Sequence, residues 1–392
     1  MGPLNGYTIV ELAGIGPAPM AGMMLADQGA EVIRIDRAAT DEPSPMECVS
    51  GRGKKSMVIN LKNPDGVEAL LRILESADAL IDPYRPGVCE KLGLGPEVCL
   101  KRNPKLVFAR MTGWGQEGPL AHAAGHDLNY IAVTGALYAN GEAQGRPMPP
   151  LNLVGDFGGG AMLLVNGLLA ALLESASSGR GQVVDVAMVD GTAQLMWMMH
   201  TFQAVGQWNA DVREANLLDG GAHFYNTYEC ADGEYVAIAS IEPQFYALLI
   251  ERADLDPDTF AEQNSPQRWP ELKTKLAEVI RGRRRDEWCE LLEGTDVCFA
   301  PVLRVTEAPQ HRAAVARGSY VQVDGVTQPA PAPRYSRTPS EVAHGSRANG
   351  ADTTAVLAAL GVAETAKVED LILSLKARKI AILIISHSLD QV

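Results

Sequence analysis

Two short stretches hold the side chains best suited to moving a proton. Gly125-His126-Asp127-Leu128-Asn129-Tyr130 sets an imidazole beside a carboxylate, just after a Gly/Pro-rich loop. Further on, Asn152-Leu153-Val154-Gly155-Asp156-Phe157-Gly158-Gly159-Gly160 offers a second carboxylate at the start of an apolar run. A base on one side and an acid on the other suit proton transfer on and off carbon. Each residue also has a plainer use. His126 can fix its loop by hydrogen bonding, and Asp156 can cap the helix expected over 156–175. The two uses of Asp156 are compatible, because a carboxylate near a helix N-terminus stays ionised until a substrate desolvates it.

Other chemistries find less support. His122, His126, His200, His223, His311, His344 and His387 show no HxxxH or HExxH arrangement set on a helix with a further ligand, so no metal is expected. No GxSxG elbow is present for a Ser-His-Asp hydrolase. No GxxxxGK[ST] loop is present either, which excludes ATP hydrolysis, although 378–387 is similar to the stretch around the switch histidine of transporter-type ATPases.

The elements that must position these residues are legible in the hydrophobic pattern. Strands are expected at 7–12, 31–35, 56–61, 79–81, 106–110 and 182–186. Helices are expected at 19–28, 64–76, 87–92, 156–175 and, rich in methionine, 188–205. Alternation of this kind predicts a mostly parallel sheet covered on both faces, a Rossmann-like α/β domain. The first turn, Gly14-Ile15-Gly16-Pro17, lacks the dinucleotide fingerprint because Pro17 and Pro19 remove N–H groups, so it reads as packing only. Three glycines at 158–160 cost a helix roughly 1 kcal/mol each, which implies close approach of backbone or ligand. They could also offer N–H groups to an anionic intermediate. The stripe Met188, Met196, Met198, Met199 reads chiefly as core filler, with apolar ligand lining as the other use. Past a polar linker the texture changes. Two strands at 225–230 and 235–240 flank Asp232-Gly233, a hairpin signal, and helices follow at 244–253 and 270–281. This predicts a smaller α+β domain, then an extended Pro-rich return and a helix at 353–361.

Basic residues follow several strand ends: Arg37, then Arg52, Lys54 and Lys55, then Lys62, Arg85 and Lys91. Strand ends of a parallel sheet gather at one edge, and such an edge suits a phosphate-bearing ligand. The chain as a whole has 392 residues and a net charge of -14, which argues against nucleic acid or an anionic membrane as the main partner. No apolar stretch reads as long enough to span a membrane. Six scattered cysteines without a CxxC pair, and no basic-then-apolar run over 1–7, lead to the expectation of a reduced, cytoplasmic setting.

Together the motifs resemble the family III CoA-transferase superfamily and, within it, the α-methylacyl-CoA racemase branch. The resemblance is carried by Val10-Glu11-Leu12-Ala13-Gly14, Ile35-Asp36-Arg37, Tyr84-Arg85-Pro86-Gly87, Thr112-Gly113-Trp114-Gly115-Gln116, Gly125-His126-Asp127 and Gly155-Asp156-Phe157-Gly158-Gly159-Gly160. Asp185 to Gly191 and Leu218-Asp219-Gly220-Gly221-Ala222 extend it. It implies an interlocked homodimer acting on acyl-CoA, with no cofactor beyond the CoA of the substrate. It implies His126 and Asp156 as the acid/base pair, with Glu242 near the histidine and Asp127 and Asn152 in support. It implies CoA contacts at Arg37, Ile59, Leu61, Lys62, Tyr84, Arg85, Lys91 (where relatives often carry Arg) and Gly125, His126, Asp127, Leu128, Asn129 and Tyr130.

The expected division is a large CoA-binding domain over 1–188 completed by 325–365, a linker over 189–224, a small domain over 225–302, a return over 303–324 and an atypical tail over 366–392. The implied reaction interconverts (2R)- and (2S)-2-methylacyl-CoA through an enolate. Two rivals stand beside it: a CoA-transferase using Asp156 as nucleophile, and a non-catalytic CoA-binding dimer.

Overall fold

The computed structural model describes residues 2–359, which form two compact units. Of the described residues, unit 1 holds 2–130, 153–192 and 320–359, and unit 2 holds 131–152 and 193–319. The expected tail over 366–392, the end of the helix expected at 353–361 and the last residues of the 325–365 completion lie outside the described residues.

Unit 1 is built on six parallel strands: β1 (Thr8–Leu12), β2 (Glu31–Asp36), β3 (Lys54–Val58), β4 (Ala79–Asp82), β5 (Val107–Thr112) and β6 (Val183–Ala187). Their order is β3-β2-β1-β4-β5-β6. Side chains alternate across the strands, so two cores form. Ile9, Val32, Ile81, Ala109 and Val186 pack under the helices Pro17–Asp27 and Leu163–Ser178. Val10, Leu12, Ile33, Ile35, Leu80 and Phe108 pack under the helices Pro64–Leu74 and Thr353–Ala359. Helix Pro64–Leu74 starts where sequence chemistry says it must. Asn63 caps it by accepting the Asp65 N–H at 3.1 Å, and Pro64 occupies the first turn.

Charges are buried inside this unit. Lys54 bonds Glu11 at 2.7 Å and Arg52 bonds Asp27 at 2.6 Å, each side chain almost wholly buried. Lys55 pairs with Glu31. The expectation that Arg52, Lys54 and Lys55 join an anion-binding edge is therefore corrected: Arg52 and Lys54 are spent on buried carboxylates, and Lys55 on the surface carboxylate of Glu31. The same layer fixes the returning chain against β3, the edge strand. Ser56 N–H donates to the Asp352 carboxylate at 2.9 Å, and Gly53 N–H donates to the His344 carbonyl at 2.9 Å.

One expected element has a different form. The helix expected over 156–175 begins at Leu153, as a π-helical run Leu153–Met162, and continues as an α-helix over Leu163–Ser178. Together they make 26 residues, long and apolar enough by composition to cross a membrane, which corrects the expectation that no stretch reaches that length. Much of its surface is buried against the sheet and helix Pro17–Asp27 (44% of the most apolar window is covered), as a core helix requires.

Unit 2 carries an antiparallel sheet of β7 (Tyr225–Glu229), β8 (Tyr235–Ala239) and β9 (Phe299–Pro301). Helices Pro243–Arg252, Trp269–Ile280 and Arg285–Leu292 surround it, with Phe224, Val236, Tyr246, Leu272, Leu276 and Trp288 in the core. Helix Arg285–Leu292 was not expected; Glu287 reaches back to the Arg284 N–H at 2.7 Å and caps it. The methionine-rich helix expected as one piece breaks at Met196 into Met188–Leu195 and Trp197–Ala204. Met188 is buried, while Met196 and Met199 line a cavity of about 250 Å³ within unit 2. The return path is not wholly extended. It contains a helix Arg312–Arg317, and a hairpin of β10 (Tyr320–Val323) and β11 (Val326–Pro329) belonging to unit 1. Contacts also assign 131–152 to unit 2, against the expected single span 1–188.

Candidate active site

The site lies where the strand order of the sheet reverses, between β1 and β4, the usual ligand crevice of a doubly wound sheet. The loops after those strands meet there. A Cβ on Gly14 would sit 2.7 Å from Pro83, so only glycine permits this approach. Gly16 has φ 72° and ψ -120°, a conformation reserved for glycine, and the Cβ position it leaves empty is 3.5 Å from Asp156 Oδ2. The first turn is thus more than the packing device read from the sequence: it borders the Asp156 carboxylate.

His126 is the N-cap residue of helix Asp127–Val133. Its N–H donates to Asn129 Oδ1 at 3.1 Å, and its carbonyl accepts from the N–H groups of Asn129 and Tyr130. The backbone is fixed and the imidazole is exposed. Tyr130 fills a notch made by two glycines, since a Cβ on Gly113 or Gly125 would collide with its ring, and its hydroxyl donates to the Gly125 carbonyl. Trp114 meets the same ring edge-on at 4.8 Å. Burial, and after it the charge of Asp156, pushes the Tyr130 phenol up from its usual value, while Arg85 acts in the opposite direction. Asp156, Tyr130 and Arg85 therefore share one electrostatic neighbourhood.

Asp127 is buried and sits between the two candidate bases in a way the sequence did not reveal. Its Oδ2 accepts the N–H groups of Gly155 at 2.7 Å and Asp156 at 2.8 Å. The glycines at 158–160 also play a different part from the one expected. They lie inside the π-helical run, so their N–H groups are committed to i→i+5 bonds and do not form an open N-terminus for an anionic oxygen. Gly159 instead lets the backbone at Gly191 and Thr192 come close, and Gly160 borders Met188 and Pro17.

The expected CoA-contact residues follow β2, β3 and β4 at the carboxyl edge of the sheet. Arg37 is exposed, with its guanidinium 6.0 Å from the Tyr84 ring centre. Burial raises the Tyr84 phenol and Arg37 offsets part of that. Lys62, Arg85 and Lys91 are exposed, Leu61 is half-buried, and Ile59 is buried in the core beneath them. Sequence reading overlooked Asp82, which accepts the Tyr84 N–H at 2.9 Å and so shapes the turn into Arg85. The signal was present as Asp82-Pro83-Tyr84, an Asx-turn pattern. Asn152 and Glu242 belong to unit 2, where Glu242 is exposed as the N-cap residue of helix Pro243–Arg252.

The sheet order, the glycine-lined crevice and the two carboxylates beside a histidine describe a doubly wound α/β protein with its candidate site at the switch point. The sequence model of CoA-transferase family III matches residues 4–353, and the chain belongs to that family. It is 47% identical over 339 residues to alpha-methylacyl-CoA racemase of Mus musculus, covering 86% of this chain and 87% of that one. It is 44% identical over 340 residues to alpha-methylacyl-CoA racemase of Homo sapiens, again covering 86% and 87%. The crystal structure of a CAIB/BAIF family protein from Brucella suis superposes with a TM-score of 0.78, covering 92% of this chain and 99% of that one at 24% identity, a likeness of fold.

Proposed function

We propose that this chain is an isomerase that interconverts (2R)- and (2S)-2-methylacyl-CoA thioesters. The observation that carries the reading is the adjacency built around Asp127: its carboxylate ties the peptide of Asp156 to the helix that His126 begins. The 44% and 47% identities to proteins named alpha-methylacyl-CoA racemase support it. A thioester acidifies its α-proton, whereas a free carboxylate does not. One of His126 and Asp156 removes that proton to give a planar enolate, and the other returns a proton to the opposite face. Arg37, Lys62, Arg85 and Lys91 hold the phosphates of CoA, with Tyr84 between them. Asn152 and Glu242 are the supporting residues of this reading. The chemistry asks for no cofactor beyond the CoA of the substrate.

The working form in this reading is an interlocked homodimer. Val133, Leu151, Leu153, Leu173, Trp197 and Val205 are each more than half exposed, apolar positions that a second copy would cover. A reducing, cytoplasmic setting and a part in lipid metabolism complete the proposal, supported by six free thiols and by the substrate class.

The family to which the chain belongs favours one second reading, in which Asp156 attacks the thioester and passes CoA to another acid. One experiment separates the two. A single enantiomer of a 2-methylacyl-CoA is incubated with the protein in D2O without any acceptor acid. Deuterium at C2 together with loss of optical purity is the expected result. Absence of exchange, with CoA passed on only after an acid is added, would establish the transferase instead, and binding without either reaction would leave only a CoA-binding protein.

A further inference from the structure

Asp127 is next in sequence to His126, and the obvious role for it is to orient and charge that imidazole. The hydrogen bonds say otherwise. Its Oδ2 accepts from the N–H groups of Gly155 and Asp156 at 2.7 and 2.8 Å. Its Oδ1 is buried and has no partner among the described residues, so neither oxygen is bonded to the His126 ring. The side chain leaves its own helix, whose first residue it is, and reaches the first turn of the π-helical run Leu153–Met162. A π-helix leaves its first N–H groups without partners inside the run, as any helix does, and its wider turn is less favourable than an α-turn. A buried carboxylate on two of those groups supplies charge-assisted bonds where the run most needs them.

We propose that Asp127 is a positioning residue for Asp156, a carboxylate clamp that sets the separation of the two bases. It acts on Asp156 through the backbone and on His126 through the peptide bond they share. The glycine contacts explain why a clamp is required. Gly155 is buried, Gly158, Gly159 and Gly160 bring no side chains to hold the middle of the run, which packs through Phe157 and Ala161, and a Cβ on Gly16 would already touch the Asp156 carboxylate. The clamp fixes the register of that run at the residue where register decides which way the carboxylate points.

This inference rests on the two-base reading, so its test is built to fail separately. Asp127→Ala and Asp127→Asn are made in the full chain, and melting temperature and CoA binding are measured first. Both directions of racemisation are then followed across pH, together with hydrogen–deuterium exchange of the peptide amides over 151–160. Loss of the clamp predicts a kcat lowered by roughly 100-fold in Asp127→Ala, equally in both directions, with little change in KM. It predicts faster amide exchange at Gly155 and Asp156 and an unshifted pH profile. Asp127→Asn, which keeps an acceptor oxygen, recovers most of the loss. A shift of the pH profile in one direction only, with amide exchange over 151–160 unchanged, would overturn the clamp and make Asp127 the partner of His126. Full activity in Asp127→Ala would overturn it as well, while leaving the two-base reading to its own test. If Asp127→Ala fails to fold, Asp127→Asn decides: modestly faster amide exchange at Gly155 and Asp156 with an unshifted pH profile is expected, and unchanged amide exchange would overturn the clamp.

Discussion

At the scale of single residues, the site depends on where side chains are absent as much as on where they are present. His126 and Asp156 were visible in the sequence because imidazole and carboxylate are chemically distinctive. Gly16 was visible only as a turn residue, because nothing in Gly14-Ile15-Gly16-Pro17 tells which distant carboxylate will lie against it. Its φ of 72° and ψ of -120° make any side chain strained, and a methyl group there would touch Asp156. Gly16→Ala is expected to lower stability by about 1–3 kcal/mol. It is also expected to reduce racemisation beyond what the lost folded fraction explains. Chemical denaturation with parallel activity measurements checks both, and an unchanged midpoint would mean that the turn relaxes away from the carboxylate. Arg52 and Lys54 teach the converse. They looked like ligand-binding cations from sequence because spacing after a strand says nothing about which carboxylate the fold brings near.

At the scale of elements, the parallel strands were legible because buried strands read as short apolar runs between turn signals. Their bounds shift by one to three residues, the most at the end of β3, which is the ordinary fraying of such readings. The π-helical run was not legible, since its sequence, Leu153 to Met162, satisfies an α-helical pattern equally well and only the Asp127 clamp and the glycine contacts distinguish it. Helix Pro243–Arg252 of unit 2 is tied in by a buried pair. His223 Nε2 lies 2.7 Å from the Tyr246 hydroxyl, which donates in turn to the Phe260 carbonyl at 2.9 Å. Burial, and after it the charge of Lys273, pushes His223 down from 6.5 to about 4. The unfolded chain therefore binds a proton that the folded unit refuses between those two values. The stability from neutral His223 is present above about 6.5 and is lost as pH falls towards about 4. Unit 2 is expected to be less stable at the acid end of this window by on the order of 1–3 kcal/mol. His223→Gln should flatten that part of the dependence. Thermal melts at several pH values check the sign, and a melting temperature that rises on acidification would contradict it.

At the scale of the whole molecule, the expectation of a Rossmann-like sheet with a smaller α+β part holds. The division of the chain does not follow simple spans: 131–152 joins unit 2 and the hairpin of β10 and β11 joins unit 1. Such crossings leave no mark on local periodicity, because they depend on contacts between residues far apart in sequence. The exposed apolar residues that include Trp197 and Leu173 belong to this scale too. Sedimentation of the purified protein is expected to give a dimer that persists on dilution, and Trp197→Glu is expected to weaken it. A stable, active monomer would contradict the interlocked form.

The claim at the centre of this account is that His126 and Asp156 face opposite sides of one enolate. The most direct measurement follows each enantiomer of a 2-methylacyl-CoA separately in D2O, with the unaltered protein, His126→Ala and Asp156→Asn, recording both deuterium uptake at C2 and optical purity. Each variant is expected to racemise roughly 100-fold more slowly, the usual worth of one general acid/base, while CoA binding is preserved. Whatever exchange survives in each variant should favour the enantiomer whose proton the remaining base faces, so the two variants should favour opposite enantiomers. Racemisation near the unaltered rate in both variants would contradict the account and return His126 to a loop-fixing role and Asp156 to a structural one.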